Sequence, residues 1–251
     1  MHLAQNADNQ VTIAAAGAIP ALVQLLGPSS VDAVQQNAAL ALVYLATNAD
    51  NAVTIAAAGA VPLLVQLLGP SSASAVQQNA ALALVYLAKN ADNAITIVAA
   101  GAIPSLVQLL GPSSVTLLQQ NAALALVYLA KNADNAITIV AAGAIPSLVQ
   151  LLGPSSVTLL QQNAALALVY LAKNADNAIT IVAAAGAIPP LVQLVLRPGS
   201  AAAALKHAKA ALDHLADSSV ANKLTIDAVE ASALLEMEWL RLYCGQEDLQ
   251  A

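Results

Sequence analysis

Charge is what this sequence has least of. Only 9% of its 251 residues are Asp, Glu, Lys or Arg, against about 25% in an ordinary soluble domain. Residues 1–196 hold three Lys and six Asp, so most of the charge sits in the last 55 residues. A net charge of −6 argues against nucleic acid as the main partner, because a phosphate backbone is met by clustered Lys and Arg. Cysteine is nearly absent too. Cys244 stands alone and cannot close an intramolecular disulfide, which is compatible with a reducing compartment and an intracellular, cytoplasmic location. Met1–Gln5 lacks the basic stretch and apolar core of a secretory signal.

Long apolar runs are also missing, although 59% of residues are hydrophobic and the mean hydropathy is +0.72. A membrane-spanning helix needs ~20 consecutive apolar residues. Here each run is cut by Gly-Ala-Ile-Pro, Gly-Pro-Ser-Ser, Gln-Gln-Asn or Asn-Ala-Asp-Asn. Much of the hydropathy is Ala, the strongest helix former. The expectation is a helical chain without membrane insertion.

Groupings that carry chemistry are scarce. There is no glycine-rich phosphate loop and no Cys/His cluster. His207 and His214 are seven residues apart, about 10.5 Å along a helix, and lack the i,i+4 spacing that chelates one metal. Asp217 follows His214 by one turn, with no nucleophile near in sequence. No catalytic residue, cofactor or metal site is expected.

What the sequence has in abundance is repetition. Gly17, Gly59, Gly101 and Gly143 recur every 42 residues, and Gly186 follows after 43. Pro20, Pro62, Pro104, Pro146 and Pro189 keep step, and residues 89–130 are identical to 131–172. Such a period marks a tandem helical array. Each unit parses into three helices. Asp50 can cap a short first helix through Val53–Ala58, and Gly59 can end it in the left-handed conformation. Pro62 suits the first turn of a second helix, Pro62–Leu68. Ser71 or Ser72 can cap a third helix of ~16 residues that runs to about Ala88. Lys89 falls at the negative end of that helix's dipole, and Asn90 reads as a left-handed stop. No such helix buries its apolar face alone, whereas stacked repeats do.

At 100° per residue, Val34, Ala38, Leu42 and Leu45 share one side of the third helix and form its predicted core face. Asn37, Leu40, Ala41 and Tyr44 share another. This second stripe recurs as Asn79, Leu82 and Tyr86; as Asn121, Leu124 and Tyr128; and as Asn163, Leu166 and Tyr170. His207, Ala210 and His214 continue it. The stripe reads equally as a binding surface or as packing between long helices. Gln35-Gln36 reads as a solvated surface pair.

The run Gly-Ala-Ile-Pro-Xaa-Leu-Val-Gln-Leu-Leu, followed by Gln-Xaa-Xaa-Ala-Xaa-Xaa-Ala-Leu-Xaa-Xaa-Leu-Ala, resembles the armadillo repeat. The resemblance implies an all-α, right-handed solenoid with repeats near 5–46, 47–88, 89–130, 131–172 and 173–216. Residues 217–251 read as a degenerate capping repeat, with Glu230, Glu236, Glu238 and Arg241 on its helix and a frayed tail from Gly245. The resemblance also implies a non-enzymatic scaffold whose third helices line a groove for a peptide or partner protein. The stripe from Asn37 to His214 is then the binding surface. Leu40 and Tyr44 stand where many groove binders carry Trp and Asn, and acidic residues are scarce there, so a basic peptide is not the expected ligand.

Two alternatives remain open at this point: a subunit buried in a large assembly, and an engineered consensus scaffold, with recent duplication explaining the identical repeats equally well. His2–Asn9 aligns with Tyr44–Asn51. The chain thus starts inside a third-helix pattern, and self-association through an uncapped first repeat is expected.

Overall fold

The computed structural model describes residues 6–244, apart from the side chains of 183–185 and 239–244, and every regular element among them is an α-helix. Five helix triplets follow one another: α1–α3 (Ala7–Ala15, Ala18–Gln24, Asp32–Leu45), α4–α6 (Ala49–Ala57, Ala60–Gln66, Ser74–Leu87), α7–α9 (Ala91–Ala99, Ala102–Leu109, Thr116–Leu129), α10–α12 (Ala133–Ala141, Ala144–Gln150, Thr158–Ala172) and α13–α15 (Ala175–Ala185, Ile188–Leu196, Ala202–Ser218). A single long helix, α16 (Val220–Cys244), comes last. The chain divides into two compact units, residues 1–144 and 145–251.

Local chemistry sets the helix ends. Asn48 caps α4: its side chain accepts a 3.0 Å hydrogen bond from the Asn51 N–H. Asn90, Asn132 and Asn174 repeat this cap. Asp50 is therefore not the cap that the sequence suggested, but a first-turn acid that complements the helix dipole. Asn90 is likewise not a left-handed stop. Its φ of −85° is extended, because it opens the next helix. The stop is Gly59, at φ 82°, a conformation that costs an L-residue roughly 1–2 kcal/mol. There the chain bends by 80° between α4 and α5.

The third helix starts later and ends earlier than expected. Ser72 donates its N–H to the Gly69 carbonyl at 3.1 Å, which closes the Gly-Pro-Ser-Ser turn. Ala73 then becomes the N-cap, without a side-chain bond, and α6 spans 14 residues. Neither serine caps it.

In the first unit α6 packs between α3 and α9. Val76, Ala80, Leu84 and Leu87 fill the core as predicted, but Ala81, Ala83 and Val85 are buried as well. A helix apolar on most sides is what a position between two neighbours requires, and alanine lets those neighbours approach closely. In the second unit α12 packs on α15, and α16 packs on α14 and α15. The predicted capping repeat is thus one helix of 25 residues. Glu236 and Glu238 are exposed, Glu230 is half-buried, and Leu224, Leu234, Leu235 and Met237 are exposed beside them. The expected tail, 245–251, and the charged side chain of Arg241 lie outside the described residues.

Among the described residues no single helix is long and apolar enough to cross a membrane.

Candidate functional site

The predicted stripe does lie along one register of the third helices. In the first unit Leu40, Tyr44, Asn79, Leu82, Tyr86, Leu124 and Tyr128 are half-buried, Asn37 is exposed and Asn121 is buried. In the second unit Asn163 is buried, and Leu166, Tyr170, His207 and His214 are half-buried. The apolar and aromatic members keep part of their surface in solvent on α3, α6, α9, α12 and α15.

Two asparagines of the stripe, Asn79 and Asn121, fasten one repeat to the next. Asn79 Nδ2 donates to the Gln36 carbonyl of the preceding long helix at 3.0 Å, and Asn121 Nδ2 does the same to Gln78 at 3.1 Å. A second stitch joins the first helices: Asn51 Nδ2 donates to the Gln10 carbonyl and Asn93 Nδ2 to Ala52, both at 3.2 Å. The first glutamine of each Gln-Gln pair works inside its own repeat. Gln77 Nε2 reaches the carbonyls of Leu68 (3.2 Å) and Gly69 (2.9 Å), and so satisfies the end of α5. Gln35, Gln119 and Gln161 repeat the clamp. The pair is therefore not simply a solvated surface. A period of 3.6 residues could not reveal these bonds, because their acceptors lie eight or nine residues upstream across a turn, or 43 residues away in another repeat.

Sequence reasoning missed the lysines. The Lys89 ammonium lies 4.1 Å from the Tyr86 ring centre and 5.9 Å from that of Tyr128 in the next repeat. Lys131 sits 4.4 Å from Tyr128 and, in the second unit, Lys173 sits 4.6 Å from Tyr170. Each is a cation–π contact. The signal was in the sequence: Tyr and Lys recur three residues apart in three repeats. Partial burial, and then the like charge of Lys131, hold the Lys89 ammonium below its ordinary pKa. In the same register repeat one has Thr47 and repeat five has Asp217.

Two clefts of about 270 and 200 Å³ flank the Gly-Pro-Ser-Ser turns of the first unit. One is lined by Pro70, Gln77 and Ser114, the other by Pro28, Gln35 and Ser72, and neither includes a stripe residue. Among the described residues no group of three His, Cys, Asp or Glu side chains could hold a metal ion.

The Armadillo/beta-catenin-like repeat family matches residues 6–47, 48–89, 90–131 and 132–173, one residue later than the boundaries read from the period. The chain belongs to this armadillo family. Its fold is accordingly the all-α armadillo array. Among solved structures, it is similar to an engineered protein at 34% identity over 85% of this chain and 88% of the other, with a TM-score of 0.78. It is similar at 30% identity, over 85% and 89% of the two chains and with a TM-score of 0.78, to computationally designed armadillo repeat proteins for modular peptide recognition. A designed armadillo repeat protein in complex with the peptide (KR)4 is 28% identical over 85% and 89%, with a TM-score of 0.76. No curated protein matches the sequence.

Proposed function

We propose that this armadillo array is a non-enzymatic interaction scaffold that takes an extended segment of a partner protein along its third-helix face. The observation that carries this is the division of labour within the stripe. Asn79 and Asn121 already have their amides engaged in the stack, while Leu82, Tyr86, Leu124 and Tyr128 keep accessible surface in the same two repeats. Aromatic side chains of this kind are favoured anchors, because they offer large contact area at small entropy cost. The structurally similar designed proteins for modular peptide recognition, and the one holding (KR)4, support a peptide or protein partner over a small molecule. An intracellular setting fits the single cysteine.

Selection from a library of extended peptides tests this. Binding should fall when Tyr86→Ala and Tyr128→Ala are combined, while the helical circular dichroism persists. Undiminished binding in that variant would refute the groove.

A second reading, a permanent subunit of a larger assembly or of a self-associated form, draws on another row. Val53, Ile95 and Ile137 on the first helices are 47%, 53% and 49% exposed, and repeated exposed apolar residues mark contact surfaces. A monomeric mass at low concentration in solution would count against it. Consensus design and recent duplication both account for the identical repeats, and neither alters this surface.

A further inference from the structure

We infer that the outer face of α16 pairs, antiparallel and about a two-fold axis, with the same face of a second copy of this chain. The seam of the pair is Leu224, Ala228, Ala231 and Leu235. The inference stands apart from the groove reading and uses none of its residues. Three observations carry it.

The first is that α16 carries two apolar sides. Asn222 is buried, its Nδ2 donating to the Leu215 carbonyl at 3.2 Å and to Ser218 Oγ at 3.0 Å, and Ile226 is buried one turn later. Val229 and Ala233 continue that side, half-buried, where α16 packs on α14 and α15. At 100° per residue Leu224, Ala228, Ala231 and Leu235 fall within about 60° of one another on the opposite side. They follow at intervals of four, three and four, the spacing of a coiled-coil seam. All four are exposed, Leu224 at 64% and Leu235 at 67%. A helix that ends a stack should turn a polar face to water. This one is apolar on both sides, as α6 is between α3 and α9, and such a face accepts a second helix.

The second is that the seam is its own complement. An antiparallel pair centred midway between Ala228 and Ala231 sets Leu224 against Leu235 of the second copy, and Ala228 against Ala231. Large side chains then meet at both ends of the seam. Small ones meet at its centre, where the two backbones can approach closely. A contact of this kind is isologous and closes at two copies.

The third is charge. Lys223 lies near the start of α16, Glu236 and Glu238 lie toward its end, and Asp227 and Glu230 fall between. Lys223 and Glu238 flank the seam on the same side. Antiparallel pairing therefore brings Lys223 of each copy toward Glu238 of the other, whereas parallel pairing sets Glu238 against Glu238. Exposed ion pairs add little affinity, but they select orientation by penalising the wrong one.

The seam from Leu224 to Leu235 is about 17 Å long. A contact of that length falls short of the roughly 1,600 Å² of a standard interface. The dimer is thus reversible and forms as concentration rises.

Sedimentation of the full chain over a concentration series tests this. The mass should rise from one copy to two and stop there. Leu224→Asp with Leu235→Asp should weaken dimerisation about tenfold, because the seam would bury unpaired charge. Both positions are exposed in the single chain, so the helical circular dichroism should persist. Charge exchange supplies a second readout. Lys223→Glu alone and Glu238→Lys alone should each weaken self-pairing, and an equimolar mixture of the two variants should regain dimer as the heterodimer. A mixture that pairs no better than either variant would overturn the antiparallel register. A single copy at millimolar concentration would overturn the inference outright. So would a dimer that survives Leu224→Asp with Leu235→Asp and is lost in Ile95→Asp with Ile137→Asp, which would put the contact on the first helices. A mass that climbs past two copies would overturn it in favour of a head-to-tail array.

Discussion

In repeat two the Asn79 side chain donates to the Gln36 carbonyl of the helix before it, and Gln77 clamps the end of α5. In repeat five the same register holds His207 and Leu205. Leucine has no amide to make the clamp, and His207 Nδ1 is buried without a partner. Both repeats keep the asparagine cap and the left-handed glycine. The comparison separates two kinds of instruction. Caps and glycine stops make the three-helix plan. Amide stitches hold one copy of that plan against the next. Repeat five retains the first and has lost part of the second.

The largest expected difference lies in the packing itself. Leu84, fully buried in α6, should cost about 2–5 kcal/mol on Leu84→Ala. Leu234 on α16 is 53% exposed, and Leu234→Ala should stay within about 0.5 kcal/mol. Urea unfolding of the two variants measures the contrast. Equal losses would mean that α16 is as tightly built in as the long helices of the first unit.

The stitches come next. Asn79→Ala removes the cross-repeat bond to the Gln36 carbonyl, which keeps its bond within α3, and should cost about 0.5–1.5 kcal/mol. The reverse exchange, His207→Asn, should stabilise by up to about 1 kcal/mol, through a bond to the backbone carbonyl of Gln162 in α12. A loss in both variants would show that histidine serves its own position and that the stitch explanation is wrong there. Gln77→Leu imports the residue of repeat five into repeat two. It should cost about 1–2 kcal/mol, because the Leu68 carbonyl loses its side-chain donor and the Gly69 carbonyl keeps only the Ser72 N–H.

The smallest effect is electrostatic. Lys89 titrates below its ordinary 10.5. Between its folded value and 10.5 the unfolded chain holds more protons, so stability should rise slightly with pH through that window. Below the folded value the cost of the partly buried ammonium is fully present. Urea midpoints followed upward from neutral pH should show the rise in the parent and a flatter profile in Lys89→Gln.

The fold was largely legible, because its determinants are local and repeated. Glycines 42 residues apart at φ near 80° announce the corner after each first helix, and apolar residues at helical spacing announce the core. What stayed hidden depends on which of two allowed local roles wins. Asn90 can end a helix or begin one, and the 3.0 Å bond from the Asn93 N–H decides for the beginning. Ser72 can cap a helix or close a turn, and its N–H bond to Gly69 decides for the turn. The stripe was legible as a register, but the separate roles within it were not. Asn79 and Tyr86 look alike as polar members of one face. Only the neighbouring repeat shows that one ties the stack while the other stays accessible beside a lysine.

The central claim is that accessible leucine and tyrosine on the third helices form the binding surface. Methyl NMR of the full chain with an extended peptide selected for binding tests it most directly. The account predicts that the Leu82 and Leu124 methyl resonances shift on titration while those of Ile95 and Ile137 on the first helices do not. Shifts at Ile95 and Ile137, with Leu82 and Leu124 unmoved, would contradict it.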